Sequence, residues 1–168
     1  MVRLTFTQLS LAFVAAVWVH NAEEAWLMPR WVRQVFGPRP PVGAWEFRFA
    51  AVVLSFLLVP LPFFAVRDGP GSVSAYVWLG AVLAMGANAV VPHLAATVAC
   101  RRYMPGTATG VLLNLPLAAC LCRQALGQHW VEAATLAWAA PAVALALAAC
   151  LPALFALGRR LAPRQEPG

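Results

Sequence analysis

The chain is 168 residues long, 62% of its residues are hydrophobic and only 11% are charged. An ordinary globular domain carries roughly 25% charged residues, so this composition excludes a typical soluble protein and predicts one integral membrane domain over residues 1–168. The formal net charge of +6 comes entirely from arginine. The arginines form short clusters between apolar runs, which indicates membrane topology and argues against nucleic acid as a partner.

Five apolar segments are long enough to cross a bilayer as helices, at about 20 residues each. In chain order they are 4–27, 47–66, 73–100, 107–126 and 131–157. The predicted fold class is therefore all-α, an integral membrane bundle of about five transmembrane helices. The first segment follows a positive charge, as a secretory signal does. Because it is too long and ends in two glutamates, we expect it to be a span.

The distribution of arginines predicts the orientation of these spans. One side holds three of them, Arg3, Arg67 and Arg123. The other side holds nine, namely Arg30, Arg33, Arg39, Arg48, Arg101, Arg102, Arg159, Arg160 and Arg164. Because arginine-rich loops stay in the cytoplasm, we expect a multi-pass protein of the cell membrane with its amino terminus outside and its carboxyl terminus inside.

The first span contains the polar sequence HNAEE at positions 20–24. Residues three and four positions apart share one side of a helix, so Glu23 and Glu24 should lie on the same side as His20. A charge inside the membrane costs on the order of 2.5 to 3.5 kcal/mol, which favours burial of this face within the bundle. The alternative is that both glutamates reach the interface and pair with arginines of the following loop.

Polar residues in other spans lie at a similar depth. At about 1.5 Å of rise per residue, His20 and His93 both lie roughly 12 to 14 Å below the cytoplasmic interface. Ser55 and Asn114 fall near the same level in the second and fourth spans. The fifth span has only Thr135, near its outer end, and is expected to face lipid. The sequence therefore predicts a polar site shared by four spans, with its mouth toward the cytoplasm.

Pro92 interrupts the third span. Proline has no amide hydrogen, so the carbonyl of Asn88 loses its helical partner and the helix should kink or bulge. A one-residue bulge would bring together Asn88 and His93, which would face nearly opposite directions on a straight helix. Thr97 and Arg101 then continue a row from His93 at four-residue spacing. A satisfied histidine beside an ordinary proline kink is the alternative.

The turn RRYMPG at positions 101–106 leads into the fourth span. Gly106, Gly110 and Asn114 give that span a face of small residues, which permits close helix packing. Tyr103 is placed to donate a hydrogen bond into the site, and a purely interfacial tyrosine is the alternative.

Taken in order, these residues resemble the HXXEE family of small bacterial membrane proteins. The motif reads HNAEE at 20–24, then PRW at 29–31, Asn88 and His93, and YMPG at 103–106. Asn88 and His93 are five residues apart, where the family pattern is expected to have four. The resemblance implies a multi-pass membrane protein with a suspected active site and no settled reaction.

The function that we favour from sequence is a membrane enzyme that performs acid/base chemistry on a lipophilic molecule without a cofactor. Two adjacent carboxylates in a low-dielectric site are not both ionised, so one can donate a proton and the other accept one. Isomerisation or cyclisation of a terpenoid or sterol-like compound needs such a transfer. The expected catalytic residues are His20, Glu23, Glu24, His93 and Tyr103. The residues expected to bind substrate or support them are Asn88, Asn114, Ser55, Thr97 and Arg101.

Two other functions remain open. One is a metal-dependent membrane hydrolase or oxidase, because two imidazoles and a carboxylate suit zinc or iron. Its candidate ligands are His20, Glu23, Glu24 and His93. The other is non-enzymatic transport, ion coupling or an accessory role, in which the same residues relay protons or bind a cation. Five spans without a visible inverted repeat argue against an ordinary secondary transporter.

Overall fold

The computed structural model describes residues 4–162, which form helices and connecting turns without a β-strand. Five long helices follow one another, namely α1 (Phe6–Phe36), α2 (Ala44–Asp68), α3 (Val73–Ala99), α4 (Thr107–Gly127) and α5 (Ala133–Arg160). The predicted all-α class is confirmed. Arg3 and Arg164, which entered the orientation argument, lie outside the described residues.

Helices α2 to α5 are each long and apolar enough to cross a membrane, judged by length and composition. Helix α1 is the longest at 31 residues, but the polar residues at positions 20–24 lower its apolar character. The outer surface of the bundle is apolar, since Leu112 and Leu145 are each 71% exposed and Phe63 is 64% exposed. A surface of this kind suits contact with lipid and gives the chain the character of an integral membrane bundle.

Helix α1 continues to Phe36, well beyond the predicted end of the first span at residue 27. The prediction of a loop over 28–46 was therefore wrong for most of its length. Pro29 leaves the carbonyl of Ala25 without its helical partner. Arg48 of α2 donates from Nε to that carbonyl at 3.0 Å, so the lost hydrogen bond is replaced and the helix continues.

Helices α3 and α4 each contain a distorted segment that we call a bulge: α4 is widened there, and α3 is kinked at a non-helical residue. In α3 the bulge covers Ala89–Leu94, where Val91 has extended dihedral angles (φ −128°, ψ 115°) next to the proline. In α4 it covers Gly110–Asn114. The two bulges pack closely, because a Cβ atom added at Gly110 would lie 3.0 Å from the Cβ of Ala89. The distortion expected at Pro92 is confirmed, and the one in α4 was not predicted.

The apolar core lies between α1, α3 and α4. Its largest fully buried apolar side chains are Phe13, Trp78, Leu79 and Leu121. Trp78 donates from Nε1 to the buried hydroxyl of Ser10 at 3.0 Å, which ties α3 to α1. This packing sets the relative position of the two helices that carry His20 and His93 further along.

Candidate active site

Three side chains from α1 and α3 converge beside the bulges. His20 and Glu24 lie one turn apart on α1, and His93 reaches them from the bulge of α3. Glu24 Oε1 lies 2.9 Å from His93 Nε2 and 3.7 Å from His20 Nε2. The two imidazole rings meet edge to face, with their centroids 5.0 Å apart. We call these three residues the His–Glu–His cluster.

The cluster is buried and is closed on one side by backbone. His20 is 1% exposed and His93 is 2% exposed. A Cβ atom added at Gly106 would lie 2.7 Å from His93 Cε1 and 2.8 Å from His20 Cε1. Gly106 also has a φ of +89°, which favours glycine. Position 106 therefore requires glycine both for its backbone angle and for its contact with the two imidazoles.

Glu23 has different surroundings from Glu24. Its Oε1 accepts hydrogen bonds from the Gly106 N–H at 2.9 Å and from the Tyr103 hydroxyl. Its Oε2 accepts a third bond from the hydroxyl of Thr109 at 2.7 Å. Three donors suit an ionised carboxylate. The structure thus separates two glutamates that the sequence treated as a pair, and Glu23 lies outside the set of converging ligand atoms.

Thr109 links Glu23 to His20. Its hydroxyl donates its one proton to Glu23, so its oxygen accepts from His20 Nδ1 at 3.0 Å. His20 therefore donates from Nδ1, and in the neutral imidazole the lone pair of Nε2 faces the cluster. Asn88 Nδ2 lies 3.5 Å from that nitrogen, at the limit of a hydrogen bond.

Tyr103 lies in the turn between α3 and α4 and covers Glu23. Its hydroxyl donates to Glu23 and accepts a hydrogen bond from the Ala108 N–H at 3.1 Å. Partial burial, and secondly the hydrogen bond to Glu23, raise the pKa of Tyr103 above its ordinary value. The hydroxyl therefore stays protonated at neutral pH and acts as a donor.

Ser55 and Thr97 connect structural elements beside the cluster. Ser55 accepts a hydrogen bond from the Asn21 side chain and donates to the Ala51 carbonyl, both at 2.8 Å. Thr97 accepts from the Met104 N–H at 2.9 Å, which holds the turn before α4 against the end of α3. Neither side chain is joined to the cluster by these bonds.

Asn114 and Arg101 are also separate from the cluster. Asn114 is fully buried, and its side-chain nitrogen and oxygen have no hydrogen-bond partner within residues 4–162. Arg101 is exposed at the end of α3 with a φ of 47°.

In the described part of the chain, neither Glu23 nor Glu24 forms an ion pair with an arginine. The alternative that both glutamates reach the membrane interface and pair with arginines is therefore disfavoured.

A cavity of about 430 Å³ lies against the cluster. Its wall is apolar except where Glu24, Asn88 and Asn21 reach it. Helix α5, which was expected to face lipid, also supplies part of this wall, including Leu147 and Phe155. The volume is in the range of small-molecule sites, and Glu24 is the member of the cluster that faces it.

Sequence reasoning missed Thr109 and the cavity. A threonine in an apolar helix commonly bonds to its own backbone, so Thr109 gives no separate signal in the sequence. The cavity is formed by mostly apolar residues from four helices, and their relative positions become visible only in the fold.

Comparisons with known proteins place the chain among uncharacterised relatives. A family described as "Protein of unknown function with HXXEE motif" matches residues 11–121. That range contains the whole cluster, whereas α5 lies beyond it. The chain is also 32% identical over 151 residues to an uncharacterized protein, YrkK, from Bacillus subtilis (strain 168), covering 90% of this chain and 96% of that protein. No solved structure matches it.

Proposed function

The chain belongs to the HXXEE family, and we propose that it is a membrane-embedded enzyme that transforms a lipophilic small molecule. The observation that carries this proposal is that Glu24 contacts both histidines and also forms part of a cavity wall that is mostly apolar. A few polar groups converging in an apolar cavity are the usual form of a small-molecule site. A bound molecule would place its apolar body against α2 and α5 and its reactive group against Glu24.

Proton transfer is the chemistry that Glu24 offers directly. His93 Nε2 lies within hydrogen-bond distance of Glu24 Oε1, so the pair can hold one proton and pass it to or from a bound molecule. Asn88 lies on the cavity wall next to Glu24 and is placed to orient the substrate. Double-bond isomerisation or cyclisation of a terpenoid or sterol-like compound fits this arrangement and needs no cofactor.

A second chemistry at the same residues is metal-assisted conversion of a lipid. It is favoured by the convergence of one ligand atom each from His20, Glu24 and His93 within 4.8 Å of one another. Two imidazoles and one carboxylate form the ligand set of several catalytic zinc sites, which leave one position open for substrate.

Lipid conversion in heavy water tests the proposed function. The purified protein is incubated in D₂O with total lipid extract from Bacillus subtilis, and the lipids are compared by mass spectrometry. We expect Glu24→Gln to lower conversion by about 10² to 10⁴-fold, the usual contribution of an acid/base residue. Glu132→Gln is the matched control, because Glu132 is exposed at the start of α5 and should not affect conversion.

The mass of the product separates the two chemistries. An isomer or cyclised product that has exchanged hydrogen for deuterium supports proton transfer, whereas a product that has gained water supports metal-assisted hydrolysis. Lipid profiles that are identical with wild type and with Glu24→Gln would contradict the proposed function.

A further inference from the structure

We propose that His20, Glu24 and His93 bind one divalent transition-metal ion of the zinc or iron(II) class. The inference deepens the proposed function and rests on it only for the position of the substrate. It is carried by the geometry of the three ligand atoms, by the hydrogen bonding of His20 and by the charge balance of the site.

The donor atoms have the composition and spacing of a metal site. Two ligands that each lie roughly 2.0 Å from a tetrahedral ion are separated by about 3.3 Å. The distances from Glu24 Oε1 to the two Nε2 atoms are 2.9 Å for His93 and 3.7 Å for His20, on either side of that value. All three ligand atoms lie within 4.8 Å of one another, so the side chains would have to close in around one ion to bind it with all three.

His20 is held in the form that binds a metal. Its Nδ1–H donates to Thr109, which donates in turn to the Glu23 carboxylate. Metal-binding histidines commonly donate their other ring N–H to an oxygen acceptor in this way. In the neutral imidazole the lone pair of His20 Nε2 faces Glu24 Oε1 at 3.7 Å, and its other polar neighbour is Asn88 Nδ2 at 3.5 Å. Two electron-rich atoms that face each other at this distance are stabilised by a positive group between them.

Charge balance favours a divalent ion over a single proton. Glu23 accepts three hydrogen bonds and Glu24 contacts two histidines, while no arginine pairs with either within residues 4–162. Two carboxylates in the interior of a membrane bundle are costly without a compensating positive charge. A divalent ion would balance both charges without requiring that both imidazoles be protonated.

The cavity determines what such an ion would be used for. Three protein ligands leave an open coordination position, and Glu24 lies on the cavity wall. A bound ion supplies a Lewis acid there, next to the reactive group of a lipophilic substrate. With an ion bound, the second of the two proposed chemistries, metal-assisted conversion, would be the one that these residues support.

Metal content tests the proposal without reference to activity. The protein is purified with an affinity tag that contains no histidine and without chelators, and zinc and iron are measured per chain. Wild type should hold, or take up from added Zn²⁺, one ion per chain. His20→Asn, Glu24→Gln and His93→Asn should each lower the affinity for Zn²⁺ at least tenfold.

His129→Asn is the matched control. His129 lies in the turn before α5 at a φ of 55°, which asparagine tolerates, so this variant should keep the wild-type metal content. Circular dichroism and size-exclusion chromatography establish that each variant is folded. Where a variant is unfolded, the absorption spectrum of Co²⁺ in wild type and the rise of its melting temperature with added Zn²⁺ test the site instead.

A folded wild-type protein that binds none of Zn²⁺, Fe²⁺ and Co²⁺ would overturn the proposal. Wild-type affinity in all three folded variants would overturn it as well, because the ion would then bind elsewhere. A metal-containing protein that converts no lipid supports the metal site and rejects the proposed function. A metal-free protein whose lipid conversion depends on Glu24 supports the proposed function and rejects the metal site.

Discussion

Glu23 and Glu24 are neighbours in the sequence but belong to different groups of contacts. Glu24 contacts two imidazoles and the cavity, whereas Glu23 binds Tyr103, Gly106 and Thr109. Since Thr109 also fixes the proton of His20 on Nδ1, Glu23 acts on the cluster through another residue. At the residue scale we therefore expect Glu23 to position the cluster and Glu24 to make the direct contact with substrate or metal.

Thr109→Val tests the positioning role. Valine has nearly the same shape but no hydroxyl, so the link from Glu23 to His20 is lost. We expect the affinity for Zn²⁺ to fall about 10- to 100-fold, as for other supporting residues around metal ligands, and Thr109→Ser to restore it. Zn²⁺ titration against a competing chelator measures this, with Thr135→Val in α5 as control. Equal affinities for Thr109→Val and wild type would show that the link does not matter.

Tyr103 provides a measurement of the Glu23 carboxylate by pH titration. The chain contains two tyrosines, so in a Tyr76→Phe background the ultraviolet absorbance of tyrosinate reports Tyr103 alone. Because burial and the bond to Glu23 raise its pKa, ionisation should occur above the ordinary value of about 10. Adding Glu23→Gln should lower the midpoint, since the neutral amide no longer opposes a negative charge. An unchanged midpoint would mean that the two side chains are not in contact in solution.

At the scale of helices, the bulge at Pro92 could be predicted and the course of α1 could not. A proline removes one backbone donor, and this local fact sufficed to predict that Asn88 and His93 turn toward one site. At Pro29 in α1, the carbonyl of Ala25 accepts a hydrogen bond from Arg48, which lies on another helix. The bulge in α4 packs against the bulge of α3. A sequence pattern predicts local backbone structure, but it does not show which residue distant in the sequence provides the missing hydrogen bond or packing contact.

Gly106→Ala tests the contact between the start of α4 and the cluster. A left-handed backbone costs a non-glycine residue about 1–2 kcal/mol, and a Cβ pressed against two imidazoles adds roughly 1–3 kcal/mol. Gly71→Ala is the control, because Gly71 also has a positive φ (+76°) but has nothing within 4 Å, so alanine there has no contact to displace. We expect Gly106→Ala to have the lower melting temperature and the weaker Zn²⁺ binding. Equal melting temperatures would contradict this packing.

At the scale of the whole molecule, the orientation in the membrane is still a prediction. The four apolar helices agree with a membrane protein, but the direction of insertion rests on counting arginines. Green fluorescent protein fused after residue 168 should fluoresce, because it folds in the cytoplasm, whereas alkaline phosphatase fused there should be inactive. Fusions within the loop between α2 and α3 serve as the control and should give the opposite pair of results. The reverse pattern would place the mouth of the site outside the cell.

The cavity joins α5 to the His–Glu–His cluster, whose three residues lie on α1 and α3. This arrangement makes it possible to block the substrate while leaving the His–Glu–His cluster intact. Ala144 of α5 lines the cavity, and Ala146, two residues further on, is exposed on the outer surface. Ala144→Phe should place a ring where the apolar body of a substrate would lie, whereas Ala146→Phe should point the same ring into lipid.

We expect Ala144→Phe to lower lipid conversion roughly tenfold, the effect of about 1.4 kcal/mol of lost binding. Its zinc or iron content should equal that of wild type, because none of the ligands is altered. Ala146→Phe should match wild type in both measurements. If Ala144→Phe converts lipid at the wild-type rate, substrate does not occupy this cavity. If it loses its metal as well, α5 supports the cluster instead of enclosing the substrate.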